Sequence, residues 1–149
     1  MQVNAGTLGG DGVISGPVTV GTGSGAGAFL APGAGTTQQK TLRLRSSLTL
    51  ESDATYTVTF SAKTDRVLTD KVVANGVAIN NATIAIEGTA QGILTAGTVI
   101  TLFSNTSANP INGTFNNLAE GAIVTVNGNN LQASYTGGDG NDLTLKVVP

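Results

Sequence analysis

The chain has 149 residues, enough for one domain with its own core, and contains no Cys, His or Trp, which excludes thiol nucleophiles, disulfides, imidazole bases and Cys/His zinc sites together. Only 11% of the residues are charged, against about 25% in an average globular chain, and the formal charge of −2 offers no basic patch for nucleic acid. The hydrophobic fraction of 40% is too high for a disordered chain, and no apolar run approaches the ~18 residues of a membrane-spanning helix.

The opening Met1-Gln2-Val3-Asn4-Ala5-Gly6 has neither the basic start nor the apolar middle of a signal peptide. The expectation is a segment cut from a longer protein. The stretch "GTGSGAGAFLAPGAG" (21–35) follows. A phosphate-cradling loop needs Gly-x-x-x-x-Gly-Lys-Ser/Thr, or Gly-x-Gly-x-x-Gly between a strand and a helix, and neither is present. A corner or linker between strands is expected instead. Thr41-Leu42-Arg43-Leu44-Arg45, Leu48-Thr49-Leu50-Glu51 and Thr55–Ser61 then alternate with the period of two of a half-buried strand. Val72-Val73-Ala74, Val77-Ala78-Ile79 and Ala82-Thr83-Ile84-Ala85-Ile86 are short strands with Asn and Gly at their corners. Residues 61–71 and 116–121 are expected to form a helical turn at most.

Near the C-terminus, Val124-Thr125-Val126 runs into Asn127-Gly128-Asn129-Asn130, a strong hairpin signal. Leu131–Tyr135 and Leu143–Val147 alternate on either side of "TGGDGN". Leu131, Ala133 and Tyr135 share one face, and Leu143, Leu145 and Val147 share another, which predicts a three-stranded antiparallel meander with an apolar side. Strands this short fit either a meander sandwich or a solenoid, whose stacked turns share one core. Ala74, Ala82 and Ala85, read as inward, would suit a narrow solenoid interior.

Several stretches resemble a known family. "AGTLGGDGVISGPVTV" (5–20), "FLAPG" (29–33), "DKVVANGVAINNATIAI" (70–86) and the closing 111–148 segment are similar, in that order, to the repeats of bacterial autotransporter passengers and related secreted β-strand-repeat proteins. The resemblance implies a right-handed parallel β-helix, exported and displayed at or beyond the bacterial surface. The translocating barrel of a complete autotransporter is not in this sequence. The expected architecture is therefore all-β: one domain over 1–149, with solenoid rungs over 1–110 and an antiparallel closing cap over 111–149. The expected partners are neighbouring rungs of a longer parent chain, further copies of the chain, and a glycan or host-surface ligand.

Three groups of residues are candidates for chemistry. Lys40, Arg43 and Arg45 are candidates for contact with an acidic glycan, against the plainer reading of a solvated strand face. Asp53, Asp65, Asp70, Glu87 and Glu120 are the carboxylates from which a glycoside-cleaving pair would be drawn, with local ion pairs as the alternative. Asp139 and Asp142, in Gly137-Gly138-Asp139-Gly140-Asn141-Asp142, resemble one copy of a calcium β-roll repeat. One copy supplies about half of the 6–8 oxygens calcium takes. A plain turn is the preferred reading, in which Asp142 makes only local turn hydrogen bonds. No cofactor is expected. The function expected is a non-catalytic stalk or display segment of an exported surface protein, such as an adhesin passenger. The alternatives are a carbohydrate-active β-helix fragment and a calcium-dependent binding module.

Overall fold

The computed structural model describes residues 1–25, 27–33, 39–64 and 66–149, and no helix occurs among them. The chain winds as a β-solenoid, about three turns carrying it from the first of four stacked rungs to the fourth. The first rung contains β1 (Gln2–Val3), β2 (Gly6–Leu8) and β3 (Val13–Ile14), and the second β4 (Val18–Val20), β5 (Ala28–Leu30) and β6 (Thr41–Leu44). The third contains β7 (Leu48–Leu50), β8 (Ala54–Lys63), a returning strand β9 (Arg66–Thr69) and β10 (Lys71–Ala74). The fourth contains β11 (Val77–Ile79), β12 (Thr83–Ala90) and β13 (Val99–Asn105). Stacking the rungs makes three parallel sheets, β1-β4-β7-β11, β2-β5-β8-β12 and β3-β6-β10-β13.

Alternation supplies the core. On each strand every second side chain points inward, and register stacks like on like between rungs. Val18, Leu48 and Val77 form one buried column, and Val20, Leu50 and Ile79 another. Leu30, Tyr56 and Ile84 form a third, and Leu42, Val72 and Phe103 a fourth. Burying one such side chain contributes about 1.5–3 kcal/mol. Tyr56 and Phe103 stack at 4.5 Å, and Phe115 lies 6.3 Å and 6.0 Å from them, so two sheets and the closing segment meet in one aromatic cluster. The Tyr56 hydroxyl is satisfied there by donating to the Leu102 carbonyl at 2.9 Å.

One expectation is corrected. Ala74 and Ala82 are buried, but Ala85 lies on the outer face in register with Thr57. A period of two cannot turn both Ala82 and Ala85 inward. The stretch 61–71 stays within the expected limit of a helical turn at most, its described residues being strand: β8 runs on to Lys63 and β9 folds back on it, pairing Lys63 with Arg66.

The C-terminal meander forms as expected. β14 (Ile123–Val126), β15 (Asn129–Gly137) and β16 (Asp142–Val148) pair antiparallel in chain order. Asn127 and Gly128 take φ of 47° and 83°, the two positive values of the tight hairpin turn that Asn-Gly favours. Leu131, Ala133, Tyr135, Leu143, Leu145 and Val147 are all buried. The meander is not a detached lid: β16 pairs antiparallel with β13, so the third sheet grows to seven strands. Before it, residues 112–118 still follow the solenoid path. Asn112 bridges to Ala78 in parallel, and Asn116 N–H donates to the Ala82 carbonyl at 2.8 Å. The antiparallel strands therefore begin at Ile123, some way beyond the expected boundary at 110.

Asparagine side chains finish the edge of the second sheet. Asn117 Oδ1 accepts Ile84 N–H at 3.0 Å while its Nδ2 donates to the Ile84 carbonyl at 2.7 Å, so one amide stands in for the next strand. Asn127 and Asn129 accept N–H groups of Ala90 and Leu94, both at 2.8 Å.

Candidate functional site

The glycine-rich corner is built around a carboxylate. Gly21 and Gly23 adopt positive φ of 91° and 88°, which curls successive N–H groups toward one point. Asp53, one rung on, fills that point. Its carboxylate accepts N–H bonds from Thr22 at 2.9 Å, Gly23 at 2.7 Å and Gly25 at 3.1 Å. These bonds, led by Gly23 and Thr22, hold the Asp53 carboxyl below its ordinary value. The corner is an anion nest of the kind that cradles phosphate elsewhere, but its anion belongs to the chain itself.

Asp70 does a similar job between rungs. It is 2% exposed and accepts Lys40 N–H at 2.9 Å and Thr59 N–H at 3.0 Å. A Cβ at Gly33 would stand 2.7 Å from its Oδ1, so glycine lets the chain pass. Glu120 accepts Tyr135 N–H at 2.8 Å, which ties the closing segment to β15. Glu87 is exposed on the outer face in register with Thr59. Asp65 lies outside the described residues. Asp53, Asp70 and Glu120 are thus engaged with backbone N–H groups, and among the described residues Asp70 forms none of the local ion pairs expected for it.

The turn Gly137–Asp142 is not the purely local connector expected. Asp142 Oδ1 accepts Asn105 N–H at 2.9 Å, from a residue 37 positions earlier in the chain. Asn141 Nδ2 donates to the Ser107 carbonyl, while Asn141 Oδ1 is buried without a partner. Burial raises the Asp142 carboxyl above its ordinary value; the Asn105 N–H opposes the rise and the Asp139 charge adds to it. Among the described residues no group of three or more Asp or Glu gathers as a metal site.

Of the cationic candidates, Lys40 pairs with Asp11 at 3.6 Å. Arg43 is exposed on the outer face of β6, in register with Val13 and Val73, and Arg45 is exposed just beyond β6. Lys40 is thus drawn to Asp11, and the three do not stand as one set of free cations.

A trough on the meander escaped the sequence reading. It encloses about 490 Å³ and crosses the outer face of β15, β16 and β13. Glu120 stands in the turn beside β15 and Lys146 on β16, with Gln132 and Ser134 of β15 between them, Thr144 nearly buried below and Val99 of β13 beyond Lys146. Antiparallel register brings these residues together: Gln132 and Val99 both pair with Lys146, and Ser134 pairs with Thr144. The outward positions and the meander order were legible, but that β16 lies beside β13 was not. Comparison with protein-family models, with curated proteins and with solved structures finds no match to this chain.

Proposed function

We propose that this chain is a non-catalytic structural segment, a stalk or display unit of an exported bacterial surface protein of the autotransporter-passenger type. The observation that carries the reading is the use of its acidic side chains. Asp53, Asp70, Glu120 and Asp142 each hold a backbone N–H of a neighbouring corner, rung or strand. Carboxylates employed this way stiffen a rod. A pair working across a glycosidic bond needs both groups free to reach it. The solenoid suits a stalk for a second reason: each rung rests only on its neighbours, so the element can be lengthened without redesign. The order of the segments at 5–20, 29–33, 70–86 and 111–148 adds the resemblance to exported passengers.

Protease treatment of intact cells that produce the protein, followed by immunodetection of this segment, tests the proposal. Loss of the segment from intact cells is expected. Full protection until the cells are lysed would overturn surface display.

A further inference from the structure

We infer that the trough on the C-terminal meander binds a small neutral saccharide, and that the cap therefore carries a ligand site as well as closing the core. The inference goes beyond the stalk reading and does not depend on where the chain is displayed.

The trough's volume of about 490 Å³ lies within the range of small-ligand sites, roughly 300–1,000 Å³. Its chemistry selects the ligand class. Ser134 offers a hydroxyl and Gln132 an amide, groups that both donate and accept, while Thr144 lies almost buried beneath them. Glu120, in the turn before β14, and Lys146, on β16, bring one charge of each sign. Lys146 has no carboxylate within ion-pair distance among the described residues, and Glu120 Oε1 is engaged with Tyr135 N–H. A simple anion would meet Glu120, and a simple cation would meet Lys146. A polyol meets neither repulsion: its hydroxyls donate to the carboxylate, accept from the ammonium and pair both ways with the Ser134 hydroxyl and the Gln132 amide. Gly97 and Gly121 on the wall leave open space for a sugar ring to approach the main chain, whereas Thr144 and Asp142 already fill the space beside Gly137 and Gly138. No aromatic ring lines the trough to stack on a sugar face, so affinity should lie in the millimolar range.

The test is an amide NMR titration of the intact chain with galactose, glucose and N-acetylglucosamine, with glycylglycine and inorganic phosphate as competing classes. The expected result is saturable shifts at Gly121, Ser134, Gly137 and Lys146 for at least one sugar. Gln132→Ala and Ser134→Ala, both on the solvent side, should each weaken that binding by about fivefold, the worth of one hydrogen bond, and leave the melting temperature unchanged. Three results would overturn the inference: no saturable shift for any of the sugars, saturation by glycylglycine or phosphate instead, or sugar binding that both variants leave intact.

Discussion

The two ends of the solenoid meet solvent in different ways. At the C-terminal end the fourth rung is closed by a meander that pairs with β13, by Phe115 and Leu118 buried against the core, and by asparagine amides that occupy strand edges. At the N-terminal end β1, β2 and β3 are two or three residues long, and no strand pairs beyond them among the described residues. No side chain before Val18 is buried, and Met1 and Val13 are exposed. Both ends follow the same alternation, yet only the C-terminal one is sealed by strands within these 149 residues. A rung gains stability from its two neighbours, so a rung with one neighbour holds about half the contacts. Stability should therefore rise along the chain from β1 toward β16.

The largest effect should come from breaking the sealed end. Tyr135 is 5% exposed; its hydroxyl donates to the Leu118 carbonyl and accepts Phe115 N–H at 3.0 Å. Tyr135→Asp replaces that double anchor with a carboxylate in a buried place, and should cost about 3–5 kcal/mol by chemical denaturation. A cost below about 1 kcal/mol, the range of surface changes, would mean that the meander does not close the core.

Asp142 gives the next largest effect, and a pair of variants sharpens it. Asp142→Ala leaves the buried Asn105 N–H without an acceptor and should cost about 1–3 kcal/mol. Asp142→Asn keeps an acceptor oxygen and removes the repulsion from Asp139, so at neutral pH it should be neutral or stabilising. The sign follows from the raised carboxyl. Its contribution is full below the ordinary value, where the group is protonated in both states, and is lost as pH rises through the raised value. Denaturation of both variants at pH 7 decides the matter; equal losses for Ala and Asn would show that the charge itself is needed.

Asp53 titrates with the opposite sign. Its carboxyl is held below the ordinary 3.8, so its contribution is present above that value and lost as pH falls through the depressed one. Melting curves from neutral to acid pH should show a smaller acid-induced loss in Asp53→Asn than in the parent chain. An unchanged acid limb would mean that the Gly21–Gly25 nest does not need the carboxylate.

The smallest energetic effect belongs to the open end. The unpaired edges of β1, β2 and β3 should promote concentration-dependent self-association, visible by sedimentation. Val13→Lys should reduce it while changing stability by no more than about 0.5 kcal/mol. A strict monomer at high concentration would show that the N-terminal edge is already protected.

Much of the local fold was legible because alternation and turn chemistry are written in adjacent residues. Thr55–Ser61 announced β8, Asn127-Gly128 announced its hairpin, and Leu131, Ala133 and Tyr135 announced the buried face of β15. The repeat was not legible, because the corners differ in length. Val18 pairs with Leu48, thirty residues on, whereas Ala28 pairs with Ala54, twenty-six on, and Gln2 with Thr19, seventeen on. No fixed period survives that variation. The clamps of Asp53, Asp70 and Asp142 were hidden for the same reason. Each reaches a partner about thirty or more positions away, which only the rung register brings near. The trough needed the pairing of β16 with β13, which no local pattern encodes.

Amide hydrogen exchange across the whole chain tests the central claim most directly, because it reads the free energy of local opening strand by strand. The account predicts slow exchange in β13, β15, β16 and the inner strands of rungs two to four, and the fastest strand exchange in β1, β2 and β3. Protection that is uniform along the chain, or greatest in residues 2–14, would contradict a solenoid sealed at its C-terminal end and open at its N-terminal one.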